Sequence, residues 1–187
     1  LPDVFGYSAA LPQILRRSGI KYFLTQKISW NQFTVFPYHS FYWEGIDGST
    51  VLAHCPPSQN YNSSATPVSI VGCEERYADK LTCPHLFLLY GQGDGGGGPG
   101  AEHVETLKRE QDLDGLPPVK QESVKSFFES IEKNADRYQK WVGPLDIDRH
   151  TGTFTSQAKS KWYNRKLELS LRDAEMLCCM AMAIDDH

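Results

Sequence analysis

The chain has 187 residues, 40% of them hydrophobic, 12% aromatic and 22% charged, an ordinary globular composition long enough for one large domain or one and part of another. Its formal net charge of -4 argues against nucleic acid or an anionic membrane as the main partner, because both call for a basic face. No apolar run approaches the length of a bilayer span and no charged-then-apolar leader opens the chain, so a soluble, untargeted protein acting on a neutral small molecule is expected.

The opening LPDVFGYS starts in the middle of a motif-like stretch without methionine, and Asp185-Asp186-His187 closes the chain soon after a strong helical pattern. Both ends are therefore expected to be internal to a longer protein. Asp3, followed by an aromatic and a glycine, fits a loop leaving a strand that would lie before residue 1. It is too early to cap the next helix. That helix is predicted from Leu11, with Leu11, Ile14, Leu15 and Ser18 on one face and Gly19 as its stop. The strand IKYFLTQ follows, and in an α/β unit the working residues sit at the carboxyl end of such a strand, here near Thr25, Gln26 and Lys27.

FYWEGIDGSTVLAH reads as a hairpin turning at Asp47-Gly48. Residues 58–66 form a long polar loop of the kind that often carries function. HLFLLY, residues 85–90, is an apolar run of the length of a buried strand, and GQGDGGGGPG leaves its end. A helix over 101–111, the turn DLDGLPP, and an amphipathic helix with Val124, Phe127, Phe128, Ile131 and Ala135 on one face complete a strand and helix alternation that predicts a parallel α/β core. Helix returns near residue 158 and runs through SLRDAEMLCCMAMAI.

Asp94 sits just past the 85–90 run with four glycines behind it, where side chains do not block a ligand. A carboxylate there suits acid or base work, and a surface turn explains the same residues equally well. A nucleotide loop would need Gly-Lys-Ser/Thr, and the next lysine is Lys108. Phe5, Tyr7, Trp30, Trp43, Tyr61 and Trp141 could form a sugar-stacking wall, although each aromatic reads first as core. The five cysteines, an odd number with no C-x-x-C pair, suggest a reduced compartment, with Cys178 and Cys179 as small buried hydrophobes. Asn62-Ser63-Ser64 is a glycosylation acceptor of consequence only in a secreted chain.

LPDVFGYSAALPQIL, LTQK-x-SWNQF, F-x-WEGIDGS-x-VL-x-H-x-PP, YGQGDGGGGP, DLDGLP, WVG, H-x-GT-x-TSQA and LRDAE together, in this order, resemble the α-mannosidases of glycoside hydrolase family 38, of the cytosolic and vacuolar type. The resemblance covers nearly the whole chain. It implies an α/β fold, the later part of a (β/α)7 barrel over 1–157 followed by the start of a three-helix bundle over 158–187. It also implies a retaining, zinc-dependent hydrolase (zinc or cobalt as metal) that releases terminal α-linked mannose from oligosaccharides, is cytoplasmic or else vacuolar or lysosomal, and is open to homo-oligomer formation.

The aspartate of D-x-FG-[HY]-S is nucleophile and zinc ligand in the family, which carries over to Asp3. Asp94 is then the candidate acid/base, Lys27 the cation that holds the Asp3 carboxylate ionised, and Tyr61 a contact to the sugar. The remaining zinc ligands are expected from motifs outside this chain, and His150, in the H-x-GT segment, is not one of them. Where the family usually continues WVG with a Glu-Leu-Tyr-like stretch, the sequence has Pro144-Leu145-Asp146-Ile147-Asp148. The fragment alone is expected to be inactive, and the alternative for the whole is a catalytically dead carbohydrate-binding or regulatory homologue.

Overall fold

The structure is a computed structural model that describes residues 1–150 and 157–185. The stretch 151–156, which holds most of the H-x-GT-x-TSQA word, and the last two residues lie outside the described residues. The chain divides into two compact units, residues 1–149 and 150–187.

The first unit is built on a four-stranded mixed sheet in the order β1-β3-β2-β4. Strand β1 (Tyr22–Leu24) runs parallel to β3 (Thr50–His54), β3 pairs antiparallel with β2 (Ser40–Glu44), and β2 runs parallel to β4 (Lys140–Val142). The expected parallel core is thus a mixed sheet, with the expected hairpin as its central antiparallel pair. Gly45 and Ser49 close that hairpin, and Gly48 takes φ +81 where Gly48 N–H returns to Gly45 C=O, a turn that Asp47-Gly48 favours.

Both faces of the sheet are covered, so the strands bury side chains on either side with period two. Phe23, Phe41, Trp43, Val51 and Ala53 point to one core, which helix α1 (Leu11–Arg17) closes with Leu15. Leu24 and Leu52 point to the other, closed by Phe127, Phe128 and Ile131 of α4 (Val124–Ile131). In α1 it is Pro12 and Leu15 that are buried, while Ile14 is 57% exposed, because the helix rests its first turn on the hairpin turn at Gly45. Helix α4 starts at Ser123, whose hydroxyl accepts from Ser126 N–H, and gives way after Ile131 to a 3-10 stretch (Glu132–Arg137) that leaves Ala135 off the buried face.

Helix α3 (Ala101–Arg109) follows the glycine stretch as expected. Helix α2 (Pro67–Arg76), begun by a proline at its first turn, is an element the sequence reading did not assign. HLFLLY departs most from expectation. It forms no ladder, only a parallel bridge of Tyr90 to Ser63, and its apolar side chains are half-buried. The second unit is helix α5 (Ala158–Asp185), and none of its residues is buried. Cys178 and Cys179 are exposed, which corrects the expectation of buried hydrophobes: α5 by itself has no second layer to pack them against. Among the described residues no helix is long and apolar enough to cross a membrane.

Candidate active site

Segment 1–6 lies across the carboxyl end of β1. Gln26 N–H donates to Pro2 C=O at 3.1 Å, and the Tyr7 hydroxyl meets both Leu1 C=O and the Thr25 hydroxyl at 2.6 Å. Tyr7 and Leu145 also exchange both backbone hydrogen bonds, at 2.8 and 3.0 Å. These ties hold the loop carrying Asp3 against the 3-10 turn Lys27–Trp30 that β1 runs into.

Lys27 is 2% exposed, and its ammonium lies 2.7 Å from Asp3 Oδ1, with 41% of the Asp3 side chain still open to solvent. The same Nζ stands over the Trp30 ring, 3.1 Å from its centroid, with Phe5 at 4.8 Å and Tyr61 at 5.4 Å. A cation so enclosed is desolvated, which strengthens its pull on the carboxylate and on the ring faces.

Tyr61 arrives on the 58–66 loop, which Trp30 anchors by donating its indole N–H to Gln59 C=O at 2.8 Å. The Tyr61 phenol is pushed up from its ordinary value, first by desolvation, then by its hydrogen bond to Asp3 and the negative charges of Asp3 and Asp94. One hydroxyl therefore senses both candidate carboxylates.

Asp94 is exposed at the tip of the glycine loop with φ +57. Hydrogen bonds and close backbone approaches hold the loop. Gln92 N–H bonds Gly98 C=O at 3.2 Å, Gly93 N–H donates to Asn62 Oδ1 at 2.7 Å, and a Cβ at Gly97 would lie 2.6 Å from Gln92 O. Gly93 also lies flat against Tyr61, whose ring carbons would be 3.0 Å from a Cβ there. Several of these glycines serve close backbone approach, which fixes where Asp94 is presented.

Of the aromatics expected in a sugar-stacking wall, Phe5, Trp30 and Tyr61 surround Lys27, and Phe5 meets Trp30 edge to face. Trp43 and Tyr7 are core, and Trp141 packs on Phe36 away from this group. Asn62, noted before only as a glycosylation acceptor, is spent on Gly93, and nothing in the local sequence signals that role. Thr25 and Gln26 are fully buried, and both Gln26 side-chain amide atoms lack a partner among the described residues.

The arrangement offers a half-open carboxylate gripped by one cation, with a phenol that feels this carboxylate and a second one. Asp3 is a hard oxygen donor of the kind zinc accepts. Among the described residues no group of three His, Cys, Asp or Glu could complete such a site, so these residues alone do not fit a metal ion.

The sequence matches the profile of the glycosyl hydrolases family 38 N-terminal domain over residues 1–144. It is 47% identical over 177 residues to alpha-mannosidase G of Dictyostelium discoideum, covering 95% of this chain and 16% of that protein. It is 44% identical over 183 residues to human alpha-mannosidase 2C1, covering 98% and 18%. With an alpha-mannosidase of Saccharomyces cerevisiae it shares 38% over 190 residues, covering 95% and 17%. The chain thus spans about a sixth of the length of the curated relatives it matches. The crystal structure of an alpha-mannosidase from Enterococcus faecalis superposes with a TM-score of 0.55 at 14% identity, over 78% of this chain and 17% of that one, which shows a shared fold.

Proposed function

Because the chain belongs to glycosyl hydrolase family 38, we propose that the protein of which it forms part hydrolyses terminal non-reducing α-D-mannose residues of oligosaccharides with retention of configuration. The observation that carries the reading is the Lys27–Asp3 contact at the end of β1, on a carboxylate that stays half open.

Asp3 attacks the anomeric carbon and forms a covalent mannosyl ester as the glycosidic bond breaks. Asp94 gives its proton to the departing oxygen, then takes one from the water that cleaves the ester. Lys27 keeps the attacking carboxylate oriented by a charge-assisted hydrogen bond, and Tyr61, whose phenol feels both carboxylates, contacts the sugar. Zinc, or cobalt in its place, would take Asp3 as one ligand and the others from outside these residues, and it supplies an electrophile for sugar hydroxyls when bound.

Residues 1–157 are, on this reading, part of a (β/α)7 barrel, which the parallel β1–β3 pair supports, and 158–187 begin a helical bundle. The buried free cysteines Cys55, Cys73 and Cys83 support a cytoplasmic setting, with a vacuole or lysosome as the alternative. The fragment alone is inactive on this reading, since one metal donor is not a site.

In the full-length protein, Asp3→Ala should abolish mannose release from an aryl α-mannoside together with tight zinc binding, and an active variant sinks the nucleophile assignment. The isolated chain should show no turnover on the same substrate. One observation favours a second reading, a carbohydrate-binding protein without turnover: Asp148 in the divergent PLDID stretch is engaged by Gln32 and Phe33 backbone N–H groups. Mannoside binding by the full-length protein without product would establish that reading.

A further inference from the structure

Segment 85–93 makes no strand ladder, yet its odd-numbered residues are each held on one side. His85 C=O accepts from the Tyr77 hydroxyl at 2.9 Å and Phe87 N–H donates to His54 Nε2 at 3.3 Å. Leu89 C=O accepts from Ser63 N–H, Gly91 N–H returns to Ser63 C=O, and Gly93 N–H donates to Asn62 Oδ1. This is the period-two pattern of a strand edge, with side chains and a loop standing in for the neighbouring strand. Such a segment has register, and a slip of one residue would turn every one of these groups away. Asp94 is the next residue.

His54, at the end of β3 and fully buried, is the one imidazole in this set. Because Phe87 N–H can only donate, Nε2 is the acceptor and Nδ1 carries the hydrogen, which goes to Ser40 Oγ at 2.9 Å. The Ser40 hydroxyl can then donate to Tyr77 at 3.3 Å, and Tyr77 donates to His85 C=O. The chain leaves the segment at Phe87 and returns to it at His85. Ser40 is itself fixed, since Asp79 Oδ2 accepts from His39 N–H and Ser40 N–H at 2.6 and 2.7 Å. Burial keeps His54 neutral, which preserves the acceptor.

We propose that His54 is a positioning residue that sets the register of segment 85–93 and thereby delivers the Asp94 carboxyl to its place. This rests on the reading of Asp94 as the acid/base. A displaced general acid has a signature that general loosening lacks, because a leaving group that departs as a stable anion needs no proton. Formation of the mannosyl ester, read as kcat/KM, should suffer with an α-linked mannobiose and be spared with 2,4-dinitrophenyl α-mannoside.

The test uses the full-length protein. The amide of His54→Asn falls near the Nδ1 position and keeps Ser40 while losing Phe87, whereas that of His54→Gln reaches the Nε2 position and keeps Phe87. His54→Asn should lower kcat/KM on mannobiose at least tenfold more than on the dinitrophenyl substrate, and His54→Gln should stay near the parent ratio. Equal losses on the two substrates, or Asn and Gln variants that behave alike, overturn the proposal. If His54→Asn does not fold, replacing the Phe87 amide by an ester removes only the donor and must give the same selective loss, failing which the proposal falls. Asp94→Ala is the control. Without leaving-group selectivity there, the acid/base reading fails and takes this one with it; with selectivity there and none at His54, only the tether fails.

Discussion

The Nζ of Lys27 and Oδ1 of Asp3 are 2.7 Å apart, but the lysine side chain is 2% exposed and the aspartate 41%. Truncation of the two partners should therefore differ in stability. Asp3→Ala leaves an ammonium that water does not reach, at a cost on the order of 2 kcal/mol, less than for a fully enclosed pair because Asp3 is half open. Lys27→Met keeps an apolar stem among the aromatics and leaves a carboxylate that can rehydrate, so it should cost less. Denaturant unfolding of the two full-length variants checks the order, and Lys27→Met should still lose about a hundredfold in kcat/KM.

Neighbouring glycines in the Asp94 loop should differ sharply. A Cβ at Gly97 would meet Gln92 backbone oxygen at 2.6 Å, whereas Gly98 has nothing within 4 Å and no left-handed φ. Gly97→Ala should lower turnover about tenfold or more by moving the Asp94 tip, and Gly98→Ala should lie within about twofold of the parent, read as kcat on an aryl mannoside with a poor leaving group. Equal effects would mean that the loop is not held as described.

Asp148 accepts Gln32 N–H and Phe33 N–H at 2.8 Å, and these bonds hold its carboxyl below the usual carboxylate range. The folded value is depressed, so this contribution is present above the unfolded pKa and is lost as pH falls through the folded one. Asp148→Ala should free the segment carrying Phe33 and Val35, 84% and 90% exposed, and speed chymotryptic cleavage after Phe33 at pH 7. Unchanged cleavage would deny the clamp.

Stability should fall on both sides of neutrality. Burial lowers His54 and His39, so the unfolded chain takes up protons below about pH 6.5 that the folded one refuses, and stability drops with acid. Burial raises Cys55 to about 12, so above about pH 9 the unfolded thiol ionises and stability drops with alkali. Urea midpoints of the full-length protein between pH 5 and 10 should form a dome, and His54→Gln should flatten its acid limb.

What the sequence disclosed followed from local chemistry. Asp47-Gly48 dictates its own turn, and Gly19 at φ +77 its own helix stop, so both were readable. Asp3 and Lys27 stand in two separate words of the family resemblance, LPDVFGYSAALPQIL and LTQK-x-SWNQF, and the structure brings their charged ends to 2.7 Å. The strand expected at 85–90 was not found because its hydrogen-bond partners are His54, Tyr77 and Ser63, which no local pattern connects to it. Asn62 and Gln59 hid for the same reason, each acting through one tertiary contact.

The paired backbone hydrogen bonds between Tyr7 and Leu145 have a consequence in time. They join the start of the first unit to its end, so this part of the hold on the Asp3 loop waits for loop closure at that distance. On a ribosome, the candidate nucleophile is made among the first residues of this stretch and waits through the synthesis of everything between. Only when residue 145 has emerged does this tie form, and a chain stalled earlier holds Asp3 by the Thr25, Gln26 and Lys27 contacts alone.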